Sequence, residues 1–550
     1  MRGRARLAGG GSLVACLIAA ALLMPAPGAG AEPYRTVAAP LRLVPTGPVP
    51  TSLRGLSDYF GVLEIDAAGD GLVVINRLSL EKYLLGLNEV PPDWPAEALR
   101  AQAIAARTYA LWTLSRPPAG SAATYGFDIC ASTECQVFTG AGVLAAPDGS
   151  RWMDAVEATS GRALLYEGEP ILARYHSVSG GHTLDNSQAF PEEPDFPYLR
   201  GVPSPTEEAS PLDRWRVTFP LDDLRAILQQ GGWWDGSELT EVRSLPSDRR
   251  LPYPDILLRG PGRRLVRTAQ EFRELVGAIA PRAHPNRYPS VAATSTGRLP
   301  ETFPSNRMTV STEGGFVEVR GRGWGHGVGM SQWGAHGLAL RGDDAEQILA
   351  HYYRGAELGE VASRRPLDVG IDWGRRRVEA TGAFRLVDAS GRPLVDSAVG
   401  TWGLSWDGPG VVSVTAPAGL DRPLAVTVLR APDRVRTGGI ARIQVALTRP
   451  AQIHAAGGGR SSEPAIGAAG KEGVAWPAPA KPGRYRVEVR ADAGGGGRAR
   501  EVVTIEVVGS TSKPPGREGG VSGIVALIGA ALGLALIAIG ASAFASTMRR

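Results

Sequence analysis

"WPAEALRAQAIAARTYAL", Trp94–Leu111, is the stretch that most strongly predicts an element of the fold. Its apolar residues continue beyond the quoted stretch at helical spacing and predict one buried face, made of Leu99, Ala103, Ala106, Leu111 and Leu114. Asp93 is the predicted N-cap, and Pro117-Pro118 ends the helix. Upstream, the sequence from Tyr59 to Leu80 predicts two strands around an Asp70-Gly71 turn. These elements predict an α+β core.

The composition is that of a folded protein with several domains. The chain has 550 residues, which exceeds what one hydrophobic core usually organises. Hydrophobic residues make up 43% and charged residues 21%, and the 71 glycines and 43 prolines favour turns and β structure. The net charge of +4 is mild, and no Lys/Arg stripe alternates with aromatic residues. Nucleic-acid binding is therefore not predicted.

The part of the chain that follows the core changes to strands alone. In "ARIQVALT", Ile443, Val445 and Leu447 alternate with polar or small residues, which is the period of a half-buried strand. This pattern predicts an immunoglobulin-like β-sandwich over residues 436–508. The other predicted units are a Pro-rich lead-in (32–57), the α+β core (58–362) and a further β-rich unit (366–430). Within the core, helices are predicted at 269–277 and directly after Asp343-Asp344.

Both ends of the chain predict export and a membrane anchor. Residues 1–31 resemble a secretory signal peptide, with early arginines, an apolar run and a small-residue cleavage site. Residues 523–545 predict one transmembrane helix, since an uncharged run of about 21 residues spans about 31 Å. Residues 509–522 would be a linker and 546–550 a cytoplasmic tail, because positive charge favours that side. The main body is thus expected on the outer, wall side of the membrane.

Two cysteines remain once the predicted signal is removed, Cys130 and Cys135. In an exported chain such a pair indicates a disulfide that closes one tight loop. The alternative is half of a zinc site, which needs two more ligands from elsewhere. No other cofactor is predicted.

The second unusual stretch is "VEVRGRGWGHGVGMSQWGAHG", Val317–Gly337. Every second residue from Gly321 to Gly329 is glycine, with Trp324 and His326 among the residues between them. Such a backbone lets another chain or a flat ligand approach closely, and the tryptophans are suited to stacking on sugar faces. The alternative interpretation is close packing of the turn onto the helix, with His326 as a structural histidine.

One carboxyl group in the sequence has the surroundings of a general acid. Glu89 follows an apolar run and precedes Val90 and two prolines. Partial burial disfavours the charged form of a carboxyl and raises its pKa, so that it holds a proton near neutral pH. The alternative is an ordinary surface glutamate in a loop.

Several motifs together resemble the stage II sporulation protein D (SpoIID/LytB) family. They run in order from about residue 58 to 358 and include the quoted helix and glycine stretches, "FDICASTECQVFTG", "ARYHSVSGGHT", "PYLRGV", "PDILLRG", "EFRELVG" and "AEQILAHYYRGAEL". Family members are known as lytic transglycosylases of peptidoglycan or as modifiers of wall amidases. The resemblance implies that Glu89 is the catalytic acid. Many active relatives carry methionine at the next position, where this chain has Val90.

The resemblance also predicts the surroundings of Glu89. The residues expected to bind glycan or to orient Glu89 are Arg107, Tyr109, Gln136, Tyr175, Ser179, Gly180, Gly181, Trp324, His326, Gln332 and Trp333. A serine triad around Ser179 is not predicted, because the G-x-S-x-G pattern is absent. His176 and His182 lack the H-E-x-x-H pattern of a zinc site.

Two functions follow as expectations. The first is a lytic transglycosylase that cleaves MurNAc-GlcNAc bonds of peptidoglycan strands with one glutamate as acid and base, leaving 1,6-anhydroMurNAc ends. The second is a protein without catalysis of its own that binds glycan and activates a wall amidase. The expected partners are glycan strands, the membrane, and a wall amidase or a partner in division or sporulation.

Overall fold

The computed structural model describes residues 35–246, 253–289, 299–363 and 365–509. The helices are α1 (Leu80–Leu85), α2 (Ala96–Leu114), α3 (Gly120–Tyr125), α4 (Gly142–Ala145), α5 (Gly149–Ala158), α6 (Asn186–Ala189), α7 (Leu221–Gln230), α8 (Ala269–Ala283), α9 (Gln332–Arg341) and α10 (Ala345–Tyr352). The strands are β1 (Arg35–Ala38), β2 (Leu41–Pro45), β3 (Thr51–Leu53), β4 (Asp58–Tyr59), β5 (Val62–Ala68), β6 (Gly71–Leu78), β7 (Ile129–Cys130), β8 (Arg162–Tyr166), β9 (Glu169–Pro170), β10 (Tyr175–His176), β11 (Arg214–Pro220), β12 (Glu241–Leu245), β13 (Asp255–Gly260), β14 (Arg263–Thr268), β15 (Met308–Glu313), β16 (Phe316–Arg322), β17 (Met330–Ser331), β18 (Glu357–Glu360), β19 (Leu367–Arg375), β20 (Arg377–Val387), β21 (Pro393–Trp406), β22 (Val411–Thr415), β23 (Val426–Arg430), β24 (Arg434–Arg436), β25 (Ile440–Leu447), β26 (Ala451–Gly457), β27 (Arg460–Ser461), β28 (Ala465–Gly467), β29 (Gly470–Pro477), β30 (Gly483–Asp492) and β31 (Arg498–Val508).

The largest sheet joins strands from distant parts of the chain. It has eleven strands in the order β1-β22-β21-β20-β2-β5-β6-β19-β7, with β3 paired to β20 and β4 paired to β3. β5 and β6 form the hairpin expected around Asp70, and β19 pairs antiparallel with β6 from Leu367 opposite Leu78. Strands β1–β3 from the predicted lead-in (32–57) and β19–β22 from the predicted unit at 366–430 therefore share this sheet with the core, from which the sequence analysis had separated them.

Helix α2 crosses the centre of the α/β core and is buried on two faces. Leu99 and Ala103 pack into the apolar core beneath the large sheet. Ile104 and Ala105 pack into a second core that includes α9 and α10. The prediction of a single apolar face was incomplete, because the short side chains of the intervening alanines let other elements approach both sides of the helix.

The start of α2 also differs from the sequence prediction. The helix begins at Ala96 after Pro95, and no side chain caps it. Asp93 is not the N-cap; instead its backbone carbonyl accepts a hydrogen bond from Arg151 Nη1 at 3.0 Å. Pro95 occupies the N-cap position, and its side chain has no hydrogen-bond acceptor, so the helix starts without a side-chain cap.

Residues 212–319 build a unit with its own apolar core. The sheets β11-β16-β15 and β12-β13-β14 enclose it together with α7 and α8, and its buried aromatic residues include Trp215, Phe219 and Phe303. Helix α8 extends beyond the predicted residue 277 to Ala283. It begins at a capping box of Thr268 and Glu271, and its apolar positions continue to Ala280.

Residues 426–508 form two facing sheets. One has the order β23-β25-β29, and the other β24-β31-β30-β26-β27 with β28 beside β26. Ile443 and Val445 from the first sheet share a core with Val487 and Val489 from the second. The alternating pattern thus corresponds to a two-sheet sandwich. It begins ten residues before the predicted boundary at 436, because β23 pairs with β25.

The predicted fold class and localisation included a C-terminal transmembrane helix, and that prediction is corrected. Within the part of the chain that the structure describes, no helix is both long enough and apolar enough to cross a bilayer. The longest of these helices, α2, carries Glu97, Arg100 and Arg107. The predicted span (523–545) and signal peptide (1–31) lie outside the described residues.

Candidate active site

Glu89 lies where the chain leaves α1 and meets the segment that follows β7. Leu87 and Phe138 form a β-bridge, and the Asn88 N–H donates to the Val137 carbonyl at 2.8 Å. This pairing brings the Val137 N–H to 2.7 Å from Glu89 Oε1. The segment 137–138 therefore pairs with the backbone before Glu89 and orients its carboxyl group.

Burial raises the pKa of Glu89 above its ordinary value. Hydrogen bonds from the Val137 N–H, the Tyr175 hydroxyl and the Gln332 side chain oppose this rise, because they stabilise the charged form. Burial outweighs them, so the carboxyl keeps its proton at a higher pH than a glutamate in water. A group of this kind can donate a proton near neutral pH and accept it again.

The half-buried Tyr175 and the buried Gln136 and Tyr83 connect Glu89 to the interior. The Tyr175 hydroxyl donates to Glu89 Oε1 at 2.9 Å and accepts from Gln136 Nε2 at 2.8 Å. Gln136 Oε1 in turn accepts from the Tyr83 hydroxyl at 2.9 Å, and its amide also donates to the Ala106 carbonyl on α2. This network holds Tyr175 with its hydroxyl hydrogen directed at Glu89. Tyr83 was not predicted, since only the fold brings it opposite Gln136.

The first residues of helix α9 also lie beside Glu89. Gln332 contacts Glu89 and also lies 3.4 Å from Gln102 of α2, measured from Nε2 to Oε1. The next residue, Trp333, packs edge-on against Trp94 with ring centroids 4.9 Å apart. His336, one turn further along α9, lies 4.8 Å from Trp94 and 5.3 Å from Trp333. The three rings form an aromatic cluster beside the Glu89 turn.

Trp94 and His336 were missed as site residues, although both lie in quoted motifs. The available signal was the spacing of Trp333 and His336, which puts both on one face of a helix. Their contact with Trp94 depends on α9 lying beside the start of α2, which no local pattern reveals. Burial lowers the pKa of His336, with the charge of Asp93 acting in the opposite direction.

Ser179, Gly180 and Gly181 form a loop around a second carboxylate, that of Glu207. The N–H groups of Ser179 and Gly181 donate to its two oxygens at 2.9 and 2.8 Å. The hydroxyls of Ser204 and Ser331 also donate to Oε1. Burial raises the pKa of Glu207, but these hydrogen bonds hold it below its usual value. Ser179 and Gly181 thus contact Glu207, although the sequence analysis expected Ser179, Gly180 and Gly181 to bind glycan or to orient Glu89.

Glu207 connects the two segments that contact Glu89. The Ser179 loop follows Tyr175 by a few residues, and Ser331 is the N-cap of α9, immediately before Gln332. One buried carboxylate therefore fixes both segments. Sequence reasoning missed Glu207, because an acidic residue in a polar stretch carries no local sign of burial.

The alternating glycines allow the backbone to pack tightly against the segment that contains Tyr175. Gly323 and Gly329 have positive φ values of 79° and 71°. A Cβ atom on Gly323 would lie 2.6 Å from the Val178 carbonyl oxygen, and one on Gly329 would collide with the Arg174 carbonyl. Of the two interpretations left open by the sequence, close packing of the backbone describes these glycines. The chain they pack against is the 174–180 segment, whereas the sequence pointed to the helix.

Trp324 and His326 contact groups other than the Glu89 carboxyl, and the His326 ring hydrogen-bonds to the backbone carbonyl of Tyr175. Trp324 Nε1 donates to Glu301 Oε1 at 2.9 Å. His326 accepts from the Val328 N–H at 3.1 Å, and its ring lies 5.4 Å from that of Phe190. Burial keeps the pKa of His326 well below its usual value. Neither side chain hydrogen-bonds to Glu89, contrary to what was expected of His326.

Arg107 also lies elsewhere than predicted. It is fully buried and forms a two-pronged ion pair with Glu81 at 2.8 and 2.7 Å. It therefore ties α2 to α1 and does not orient Glu89. Tyr109 is closer to the site: burial raises its pKa, Arg174 lowers it, and the charge of Glu89 is among those that raise it.

Cys130 and Cys135 are joined by a disulfide, with their Cα atoms 5.5 Å apart. Cys130 ends β7, which pairs with β19 of the large sheet. Gln136 and Val137 follow the second cysteine directly. The closed loop thus delivers both residues to Glu89, and bonded sulfur atoms are not available as thiolate zinc ligands.

Comparison with known proteins identifies relatives over the same region. Residues 68–166 match the family model described as stage II sporulation protein. The stage II sporulation protein D of Bacillus amyloliquefaciens is 29% identical over 298 residues, which cover 52% of this chain and 76% of that protein. An uncharacterised protein of Brachyspira hyodysenteriae is 28% identical over 321 residues, covering 56% of this chain and 73% of its own length.

A third relative has a different name. The amidase enhancer of Bacillus subtilis is 28% identical over 296 residues, which cover 49% of this chain and 39% of that protein. These matches support the resemblance to the stage II sporulation protein D family that the motifs predicted.

Proposed function

We propose that this chain, which matches the stage II sporulation protein family over residues 68–166, is a peptidoglycan lytic transglycosylase in which Glu89 is both acid and base. The family match and the amidase enhancer among the relatives support a cell-wall-associated role. The proposal of transglycosylase activity rests on one observation, the carboxyl group of Glu89. Burial raises its pKa, and its Oε1 accepts a hydrogen bond from the Tyr175 hydroxyl.

The reaction begins with protonated Glu89. The carboxyl donates its proton to the oxygen that links N-acetylmuramic acid to N-acetylglucosamine. The bond between this oxygen and C1 of N-acetylmuramic acid breaks, and positive charge develops at that C1. The resulting carboxylate is stabilised by the Tyr175 hydroxyl, the Val137 N–H and Gln332. It then removes the proton from the 6-hydroxyl of the same sugar, and that oxygen bonds to C1. The 1,6-anhydro ring closes without water, and Glu89 regains its proton.

A single carboxylate suits this scheme better than hydrolysis. A hydrolase needs a second carboxyl to activate water or to attack the sugar. Asp93 and Asp128 were the sequence candidates for that role. Asp128 is held by Arg365 in a two-pronged ion pair at 2.8 and 2.7 Å. Asp93 is exposed, and its charge raises the pKa of His336. Within the described residues, no other carboxylate is among the groups that shift the pKa of Glu89.

The aromatic cluster of Trp94, Trp333 and His336 supplies the binding surface in this proposal. Aromatic rings offer flat apolar faces, and sugars present C–H groups that pack on them. Since Trp333 follows Gln332 directly, a sugar on the cluster lies close to the acid. Trp333→Ala is therefore expected to raise KM more than it lowers kcat.

The test is digestion of purified peptidoglycan by the full chain, with products identified by mass spectrometry. Fragments ending in 1,6-anhydro sugar are expected from the wild type and from Glu134→Gln, a variant of an exposed glutamate in the disulfide loop. Glu89→Gln is expected to release at least about a hundredfold less. Equal release by Glu89→Gln would contradict the assignment of Glu89.

The second candidate function is activation of a wall amidase, and it is favoured by the relative named amidase enhancer. In that case the same surface binds glycan, no anhydro product forms, and stem-peptide release by an added amidase increases. Free stem peptides released by this chain alone would indicate an amidase instead.

A further inference from the structure

A cavity of about 190 Å³ lies between the 178–190 segment, the glycine stretch and helix α8. Arg273, Arg307 and Arg322 line it, together with Phe190 and His326. No aspartate or glutamate lines it among the residues that the structure describes. The wall is thus cationic on one side and apolar or neutral on the other.

Among the residues that the structure describes, two of the three arginines lack a carboxylate partner. Arg273 is paired with Glu301 at 3.0 Å. The hydrogen bonds that Arg307 makes within this part of the chain go to the backbone carbonyls of Ser179 and His182. The guanidinium of Arg322 makes no hydrogen bond or ion pair within the described ranges of the chain, and its aliphatic stem lies across Gly180, where a Cβ would come 2.8 Å from Arg322 Cγ.

The surrounding charges leave this positive potential in place. Burial lowers the pKa of Arg307, and the nearby charge of Arg322 lowers it further, while Glu207 acts in the opposite direction. The oxygens of Glu207 already accept four hydrogen bonds, two from the 179–181 loop, one from Ser204 and one from Ser331, the N-cap of α9. The charge of Arg322 lowers the pKa of Asp213. Asp213, however, forms an ion pair with Arg214 and does not line the cavity. Arg322 is exposed and Arg307 and Arg273 are partly buried, so their guanidinium groups can form charge-assisted hydrogen bonds to an anion in the cavity.

Asn306, one of the residues that line the cavity, carries an unused acceptor. Asn306 Oδ1 is buried and has no hydrogen-bond partner within the described part of the chain. An N–H group on a ligand would satisfy it. The apolar wall, which includes Phe190, Val178 and Leu184, is suited to a small aliphatic group. A carboxylate with an amide N–H and a methyl group nearby would meet all three features.

We propose that this cavity is an oxyanion-binding site, separate from the Glu89 site, that takes a carboxylate or phosphate group of a wall polymer. Arginine forks bind either oxyanion through paired N–H donors. The acceptor at Asn306 and the apolar wall favour an N-acyl amino-acid carboxylate, such as the end of a wall peptide, over a phosphate diester.

Two probes separate the sources: N-acetyl-D-alanine for the carboxylate and inorganic phosphate for the phosphate. Binding to the full chain is measured by isothermal titration calorimetry at low ionic strength, for the wild type and for Arg322→Met. Methionine keeps an aliphatic stem over Gly180 and removes the charge. The matched control is Arg320→Met, on the same strand, which removes a cation whose side chain is exposed and paired with Glu318.

Saturable binding of N-acetyl-D-alanine is expected, weakened at least about tenfold in Arg322→Met and less than about twofold in Arg320→Met. Saturable binding of phosphate alone, with the same dependence on Arg322, would assign the site to a phosphate polymer. The proposal is overturned if neither probe saturates, or if both variants weaken binding equally. Because the readout is binding, it does not depend on whether Glu89 is catalytic.

Discussion

At Glu89, burial and hydrogen bonding act in opposite directions on one carboxyl group. Burial raises its pKa, and the Tyr175 hydroxyl, the Val137 N–H and Gln332 limit that rise. The balance suits a group that must first donate a proton and then recover one. It also makes the pKa sensitive to each donor.

Tyr175→Phe removes one of those donors and leaves the ring in place. The pKa of Glu89 is expected to rise further, since the lost hydrogen bond stabilised the charged form. The alkaline limb of the pH–rate profile, where Glu89 loses its proton, should move to higher pH, and the maximal rate should fall about tenfold. Tyr166→Phe serves as the control. An unchanged alkaline limb in Tyr175→Phe would separate Tyr175 from the acid.

The raised pKa of Glu89 also predicts how stability depends on pH. In the folded state the proton is held more tightly than the ordinary pKa of 4.5 would allow, so stability is lost as pH rises from about that value through the raised pKa. Glu89→Gln does not ionise and should melt at a higher temperature than the wild type at pH 7. The difference should disappear at pH 4. A lower melting temperature for the variant at pH 7 would contradict the account.

Single residues show what a local sequence pattern can and cannot indicate. Glu89 carried a local signal, an apolar run followed by two prolines. Arg107 did not: its partner is Glu81, 26 residues earlier, and a guanidinium on a helix gives no sign of which carboxylate it meets. The role of Glu207 follows only from the folded structure, in which four donors hydrogen-bond to its carboxylate.

Among the helices and strands, those with local signals were predicted and those with distant partners were not. The capping boxes of α8 and α10 and the turn between β5 and β6 lie within a few residues of the elements they start or join. The pairing of β2 with β20 joins segments more than 300 residues apart, and no periodic pattern reports it. The glycines at 321–329 had two interpretations, and only the neighbouring 174–180 backbone distinguishes them.

Glycines within helices provide a matched pair of tests. A Cβ on Gly334 of α9 would collide with the Tyr352 hydroxyl and Ser204 Oγ, which hydrogen-bond to each other at 2.7 Å. Gly334→Ala is expected to destabilise the protein by about 1–3 kcal/mol. Gly277 of α8 has no atom within 4 Å of such a Cβ, so Gly277→Ala should stabilise by about 0.5–1 kcal/mol.

Thermal melts of the two variants beside the wild type measure this difference. Shifts of opposite sign are expected. If Gly334→Ala melts at or above the wild-type temperature, α9 is not packed against α10 as described.

For the molecule as a whole, separate apolar cores predict separable roles. The sandwich of residues 426–508 has its own core, and none of its residues belongs to the Glu89 network. Its polar contacts with the large sheet include a bond from Ser397 Oγ to the Ala493 carbonyl at 3.2 Å. The α/β core therefore positions the site without the sandwich.

Deletion of residues 426–508 is expected to change the release of anhydro fragments by less than about threefold, because distant groups act nearly independently. The comparison uses equal amounts of folded protein, matched by circular dichroism. A loss comparable to that of Glu89→Gln would assign the sandwich a part in catalysis.

The central claim is that one carboxyl group cleaves glycan by an internal transfer that consumes no water. Digestion of peptidoglycan in H₂¹⁸O, followed by mass spectrometry of the new ends, tests it most directly. The account predicts 1,6-anhydro ends without heavy oxygen for the wild type and no such ends for Glu89→Gln. Reducing ends that carry ¹⁸O at C1 would show hydrolysis and contradict it.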